Sequence, residues 1–578
     1  MNTELIRSFA GVVTLGMYLR TIQRRNLDGS TVRYLQLAHN EWDAATRQAR
    51  AKVIHSFGRE DALDRDALHR LIKSLTRALE PERALALTEN AELAFVDSRR
   101  MGGAWVLDHL WRRLGIRACM ERMLSARRLH PRTERVLFAL AANRALKPLS
   151  KLAATTWVAD QVAIDGLEAV DDETCYRAMD WLLEVEAELS EAIYFSVADL
   201  LNLEVDLLFF DTTSTYFEID EPDAPELDDD GRVVEPGFRV HGHSKDHRPD
   251  LPQVVVGMAV TRQGIPIRVW VWPGNAADAT LIEQVRADLR AWKLNRIVWV
   301  ADTAFNSAAN RRYLQRAGGH YILGEKLRGD SAEAKLALAR QGRYRTVAGN
   351  LTVKEVVVEH GSERDRFVIC RNPDAAVRDA AVRDELIAQL QAAIKDSDRL
   401  SDAKRQELLG KLSAKPGLRR FLRTTPGGLL RIDRTAIESE ARLDGKFLLR
   451  TSDPSLSAED VALGYKQLLE VERGWRDMKT VLELRPVFHR KQERIRAHVL
   501  LCWLALLLVR VAELATHDTW RHLRDELERV HLGTFRGAAG VICRRTELSA
   551  RQRQILGALQ VPEPPPFTRL QPALDQPA

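Results

Sequence analysis

Between residues 205 and 326 the apolar positions switch repeatedly between two periods. "VDLLFFDTTS" is a short apolar run that closes on Asp211. "PQVVVGMAVT" (252–261) and "IPIRVWVWPG" (265–274) are two more runs, joined by "RQG", a pattern that predicts a hairpin. "ADATLIEQVRADLRAW" spaces its apolar residues three and four apart and predicts an amphipathic helix. "RIVWVADTAF" then predicts a strand carrying Asp302, "SAANRRYLQRAG" a helix stopped at Gly, and "HYILGEK" a further strand. The order is strand, hairpin pair, helix, strand, helix, strand, which predicts an α/β core. The pattern breaks over 330–445 and resumes with "GKFLLRTSD" and a long helix pair over 458–515.

Outside this core the pattern is simpler. Residues 16–24, 31–39 and 51–57 predict strands, with "NLDGS" as a turn and a helix near 65–80. Apolar spacing predicts mostly helix over 81–200, clearest in "RVLFALAANRAL". The expected organisation is a small α/β N-terminal domain (1–80, a candidate for DNA binding), a helical domain (81–200), a first core part (201–330), an insertion domain (331–445), a second core part (446–515) and a helical C-terminal tail (516–578). No repeat with a period of 20–50 residues is present. Within the second core part, "YKQLLEVERGWRDMK" (465–479) reads as one helix. At ~100° per residue its Tyr465, Glu472, Arg476 and Lys479 fall within roughly 60° of one another.

Composition narrows the class. With 578 residues the chain is too long for one core. Hydrophobic content of 45% and charged content of 29% are those of an ordinary globular protein. A net charge of +5 tolerates a polyanion without demanding one. Cys119, Cys175, Cys370, Cys502 and Cys543 are odd in number and scattered, so neither a disulfide framework nor a thiolate zinc site is expected. No secretory signal pattern is read at the N-terminus. The longest apolar run, "VLLCWLALLLV" (499–509), is short of the ~20 residues a bilayer needs and predicts a buried helix.

The candidate chemistry is carboxylate chemistry. Asp211 and Asp302 each close an apolar strand and precede small polar residues. Acids at such strand ends lie where α/β sheets bind ligands. If the first and fourth strands are parallel neighbours, the two carboxylates meet, and a dication keeps both ionised. Hard oxygen donors favour Mg²⁺ or Mn²⁺. Glu472 from the packed helix makes three acids, enough for two ions in phosphodiester chemistry.

These residues carry a resemblance. The order Asp211, Asp302, Glu472 on such elements resembles the RNase H-like DDE transposases of bacterial insertion sequences. Within them the chain resembles the long-chain subgroup of the superfamily with a Tyr-Arg-Glu-Lys signature: Tyr465, Glu472 and Lys479 stand at its spacing. Leu468 occupies the Arg position, for which Arg476 or Arg473 is a substitute, and Ala304 stands where many relatives carry Gly. "GHSKDHRPDLPQVVVG" (242–257), "LRPVFHR" and "RIRAHVLL" also match the subgroup. The likeness runs over roughly 205–510. It implies an RNase H-like core, a mixed sheet flanked by helices and interrupted by an insertion. It implies binding of terminal inverted repeats, metal-dependent DNA cleavage and strand transfer, Mg²⁺ (or Mn²⁺) as two ions, a homodimer in the synaptic complex, and a cytoplasmic, nucleoid-associated location. Asp211, Asp302 and Glu472 are the implied catalytic and metal residues, and Tyr465 and Lys479 the implied grip on the strand.

Basic residues fit a DNA path. Residues 471–496 hold eight Lys or Arg against four Asp or Glu, and Lys245 and Arg248 lie in a loop with His241, His243 and His247. Lys245, Arg248 and Arg476 are therefore expected DNA contacts; the three His read as a polar loop and Trp475 as packing. Two alternatives stay open at this stage. One is a catalytically inactive or domesticated transposase derivative that only occupies DNA. The other is a two-carboxylate glycoside hydrolase, against which an aromatic content of 6% argues.

Overall fold

The computed structural model describes residues 15–25, 31–43, 48–79, 93–201, 207–290, 292, 297–360, 363–537 and 540–572. The expected "NLDGS" turn (26–30) lies outside these. The chain divides into two compact units. The first comprises Met1–Asp97, Gly533–Arg544 and Pro566–Ala578. It holds an antiparallel three-stranded sheet of Leu15–Arg25, Thr31–Asp43 and Gln48–Arg59, followed by a helix, Arg65–Leu79. All four elements were legible in the alternation and spacing of the sequence.

The second unit, Ser98–Leu532 with Arg545–Pro565, carries the core. Nine strands form one sheet. In chain order they are β1 (Leu207–Tyr216), β2 (Gln253–Val260), β3 (Pro266–Pro273), β4 (Val298–Ala301), β5 (His320–Glu325), β6 (Arg345–Ala348), β7 (Leu351–His360), β8 (Glu363–Arg371) and β9 (Lys446–Thr451). Their spatial order is β6-β7-β8-β9-β5-β4-β1-β2-β3. β1, β4 and β5 run parallel at the centre, and β2 and β3 continue from β1 as an antiparallel meander. The helices that matter below are α1 (Asp278–Arg290), α2 (Ala308–Gln315), α3 (Ala458–Lys466), α4 (Leu469–Thr480) and α5 (Gln492–Thr516).

The central strands are apolar on both faces because both faces are covered. Leu207 and Phe209 of β1, with Val298 and Val300 of β4, belong to a core completed by Val461, Val471, Trp475, Met478 and most of α5. Leu208 and Phe210, with Trp299 and Ala301, belong to a second core under α1. At ~25 cal/mol per Å² such two-sided burial is the main force holding the centre of the sheet together. α5 is long and apolar enough to cross a membrane by length and composition, but 83% of that stretch is buried inside the protein. The predicted buried helix is therefore observed, 25 residues long around the eleven-residue apolar run.

Several expectations need correction. The region 331–445 is not one insertion. β7, β8 and β9 pair antiparallel, and β9 pairs with β5, so residues 345–371 extend the main sheet. The part after Arg371, helices with a small two-stranded sheet, has a core of its own built on Leu390, Leu412, Leu418, Phe421 and Leu430. The stretch 465–479 is not one helix: α3 ends at Lys466 and α4 starts at Leu469. The backbone there tightens into i→i+3 bonds, Gln467 N to Gly464 O and Leu468 N to Tyr465 O. The tail after 516 is not wholly helical, since His531–Gly537, Gly540–Arg545 and Phe567–Pro572 are strands. A strand at Ala94–Arg100 was also missed in a region expected to be helical.

Candidate active site

The site begins with strand register. β1 and β4 pair in parallel, with Ala301 opposite Phe210. The next residues outward are Asp302 and Asp211, so the two acids stand side by side on neighbouring strands, which lie ~4.8 Å apart. Alternation then fixes the face: Asp211 follows the Leu207, Phe209 series and Asp302 the Val298, Val300 series. Both therefore face the helices α3 and α4. Asp211 does not end its strand as expected. β1 continues to Tyr216 against β2, and it is the neighbour β4 that stops, which uncovers Asp211 in mid-strand. Asp302 is held by its own backbone, accepting a hydrogen bond from Thr303 N as the cap of a short 3-10 turn.

Helix α4 supplies the third acid. Val471, Trp475 and Met478 anchor its buried face, and Glu472, next to Val471, stays exposed. Asp211, Asp302 and Glu472 line one open cleft of about 330 Å³ together with Phe447, Tyr465, Lys466, Leu468 and Leu469. The phenol of Tyr465 reaches in from α3 and faces the Asp302 carboxylate. Burial, then the charges of Asp302, Glu472 and Asp211, push that phenol above its ordinary range, so it remains a donor. Gly324 makes room for it. β5 puts Gly324 on the same face as Ile322, and a Cβ there would lie 2.5 Å from the Tyr465 hydroxyl. Phe447 stacks on the Tyr465 ring at 6.1 Å.

The electrostatics mark Asp211. Burial pushes its carboxyl up to about 6; Lys245 opposes the rise, while Asp302 and Asp278 add to it. Lys245 Nζ lies 3.9 Å from Asp211 Oδ1 and 3.2 Å from Asp278 Oδ2. Among the described residues, no group of three or more His, Cys, Asp or Glu side chains is arranged to hold a metal ion. The three acids share a cleft without being gathered into a ligand cage. Their chemistry fits a hard dication: every donor is a carboxylate oxygen on one open wall.

The expected DNA contacts divide into two sets. Arg476 is exposed and makes no ion pair among the described residues. Arg248 pairs with exposed Asp250 at 2.7 Å and lies over the ring of Tyr216. Lys479 is turned inward: its Nζ donates to Asp246 Oδ1 at 2.8 Å, beside Arg485 on the same carboxylate at 3.2 Å. Lys245 is likewise bound to acids of its own chain. Arg473, one substitute for the arginine missing at Leu468, is 3.0 Å from Glu513, which leaves Arg476 on the surface. His241, His243 and His247 are exposed, and Trp475 is buried packing. Sequence reasoning missed Asp246 and Asp278, which pair with these lysines. The adjacent opposite charges in "SKD" (244–246) were the signal for Asp246; Asp278 had none.

A sheet in this order, with acids side by side at its central parallel strands and a third on the covering helix, defines an RNase H-like phosphoryl-transfer core. Residues 229–508 match the family model described as a transposase DDE domain, and residues 19–85 match that of the IS1634 family transposase N-terminal domain. The two matches together span more than half of the chain. The chain belongs to the DDE transposases of bacterial insertion sequences, enzymes that cleave and rejoin DNA. No curated protein matches it. Among solved structures, a piggyBac transposase synaptic complex with hairpin DNA covers 74% of this chain and 79% of its own, at 10% identity. Its TM-score is 0.33, too low to carry an argument.

Proposed function

We propose that Asp211, Asp302 and Glu472 are the catalytic, metal-holding acids of this transposase, and that they take two Mg²⁺ or Mn²⁺ ions. The family implies a divalent metal. The observation that carries this assignment is the register of β1 on β4, which sets Asp211 beside Asp302 in the cleft that Glu472 also lines. Bound dications supply activation of the attacking oxygen and neutralisation of charge at the scissile phosphate. The chain's own residues orient the acids. The Thr303 N–H holds the Asp302 carboxylate, and the Tyr465 hydroxyl faces it across the cleft. Asp211 is kept ionised by Lys245 despite its burial.

The DNA substrate is the element's terminal inverted repeats. Water is the nucleophile for the first cut, and the freed 3′ hydroxyl attacks target DNA in the second step. Arg476 and Arg248 contribute to phosphate binding from the rim, while Lys479 positions α4 through Asp246. Two ends must be joined, so the working assembly is a homodimer, acting on the nucleoid in the cytoplasm. The test is incubation of purified protein with DNA carrying the element's ends and Mg²⁺. Asp211→Asn, Asp302→Asn and Glu472→Gln should each retain DNA and lose nicking by ~10³-fold or more. Full nicking by any one of them would remove that residue from the site.

A further inference from the structure

The loop 241–251 carries Lys245 and Asp246 in succession, and each side chain meets a group of opposite charge in the site's surroundings. Asp246 joins Lys479 and Arg485, which ties the loop to the helix of Glu472. Lys245 goes the other way. Its backbone N donates to Ser214 Oγ at 2.9 Å. Its ammonium donates to Thr212 O at 2.8 Å and to Thr212 Oγ1 at 2.5 Å. Thr212 Oγ1 in turn donates to Asp278 Oδ1 at 2.6 Å. Asp278, the first residue of α1, thus holds Lys245 both directly and through Thr212. The side chains of Lys245, Asp211 and Asp278 are 31%, 20% and 21% exposed, so water screens their charges only in part.

We propose that Lys245 is a placeholder cation: a positioning residue that neutralises Asp211 while the protein carries no metal, and that Asp278 holds it back from occupying Asp211 outright. This rests on the assignment of Asp211 as a metal-holding acid. The distances set the balance. The ammonium is closer to Asp278, at 3.2 Å, than to Asp211, at 3.9 Å. It is near enough to favour the ionised carboxylate but does not hydrogen bond to it. Lys245 and a dication therefore compete electrostatically for the same oxygen. With Asp278 present, the lysine gives way. With Asp278 neutralised, its nearest remaining carboxylate is Asp211. The two residues thus act on metal affinity with opposite signs and through one another. A lysine that only supported the fold would not behave so.

The test is Mn²⁺ binding to the full-length protein without DNA, followed by the paramagnetic resonance of free Mn²⁺. Lys245→Met should bind Mn²⁺ about fivefold more tightly than wild type, and Asp278→Asn about fivefold more weakly, shifts of roughly 1 kcal/mol each. The double variant should lie close to Lys245→Met, because Asp278 acts chiefly by holding the lysine, its own charge reaching Asp211 as a smaller effect. Lys466→Met, which removes an exposed cation from the lip of the same cleft, should change affinity less than about twofold. The proposal is overturned if Lys245→Met binds no tighter, if the two effects multiply independently in the double variant, or if Lys466→Met matches Lys245→Met. Glu472→Gln separates this from the underlying assignment. If wild type binds Mn²⁺ and Glu472→Gln does not, the acids are the site, and an unchanged Lys245→Met then overturns the placeholder alone. If Glu472→Gln binds as wild type does, the assignment of the acids fails first.

Discussion

Gly324→Ala is a small change with a large expected consequence. The added Cβ would lie 2.5 Å from the Tyr465 hydroxyl, 2.8 Å from Thr303 Cγ2 and 3.2 Å from Thr303 N. Ordinary contact needs ~3.5 Å, so the hydroxyl must retreat by about 1 Å or the Thr303 turn must move. Either motion disturbs Asp302, which accepts from Thr303 N and faces the Tyr465 hydroxyl. Overpacking of this kind costs about 1–3 kcal/mol, and a misplacement of ~1 Å at a reacting centre can cost ~10²-fold in rate. Nicking of end-bearing DNA at saturating Mg²⁺ should fall by about two orders of magnitude. Tyr465→Phe alone removes the hydroxyl that faces the Asp302 carboxylate, a polar contact of about 1.5 kcal/mol at most, so a loss of no more than ~10-fold is expected. The informative species is the double variant, because removing the hydroxyl removes the tightest of the three contacts. It should nick at least ~10-fold faster than Gly324→Ala. If the two losses simply multiply, Gly324 is not there to admit the tyrosine, and the reasoning fails.

Two further outcomes follow from other parts of the chain. Lys151 is fully enclosed, 3.4 Å from His498 Nδ1, and burial, then Arg144, lowers its amine to about 7 from an ordinary 10.5. The unfolded chain therefore holds this proton up to higher pH than the folded one, so stability should rise between about pH 7 and 10.5, by up to ~1.4 kcal/mol per pH unit. In urea titrations Lys151→Met should lack that rise and exceed wild type most clearly at pH 7 and below; an unchanged slope would count against a buried, neutralised amine. Arg476→Ala should weaken DNA binding alike for all sequences and reduce the log–log salt slope by about 1. A sequence-specific loss in competition binding would instead make Arg476 a base reader.

The centre of the fold was legible because each central strand is a short apolar run closed by turn residues, and because burial on both faces leaves little choice of element. The meeting of Asp211 with Asp302 was expected on the condition that the first and fourth strands are parallel neighbours, as β1 and β4 are. What stayed hidden depends on distant partners. Residues 345–371 look like an interruption until β9, some 75 residues later, pairs with β8 and β5 and brings them into the sheet. The break at Gln467–Leu468 is hidden because both halves have helical spacing, and only the i→i+3 bonds at Gln467 and Leu468 mark it. Lys245 and Lys479 sit in basic sequence and looked like phosphate contacts. Their acidic partners, Asp278 and Asp246, are 33 and 233 residues away, a distance no local charge pattern reports.

The central claim is that Asp211, Asp302 and Glu472 close on dications when DNA is present. A crystal of the protein with an end-bearing duplex and Mn²⁺, read by anomalous scattering, tests it directly. The account predicts Mn²⁺ peaks within ~2.0–2.4 Å of oxygens from all three side chains, beside the scissile phosphate. Mn²⁺ bound elsewhere, with Glu472 left facing solvent, would contradict it.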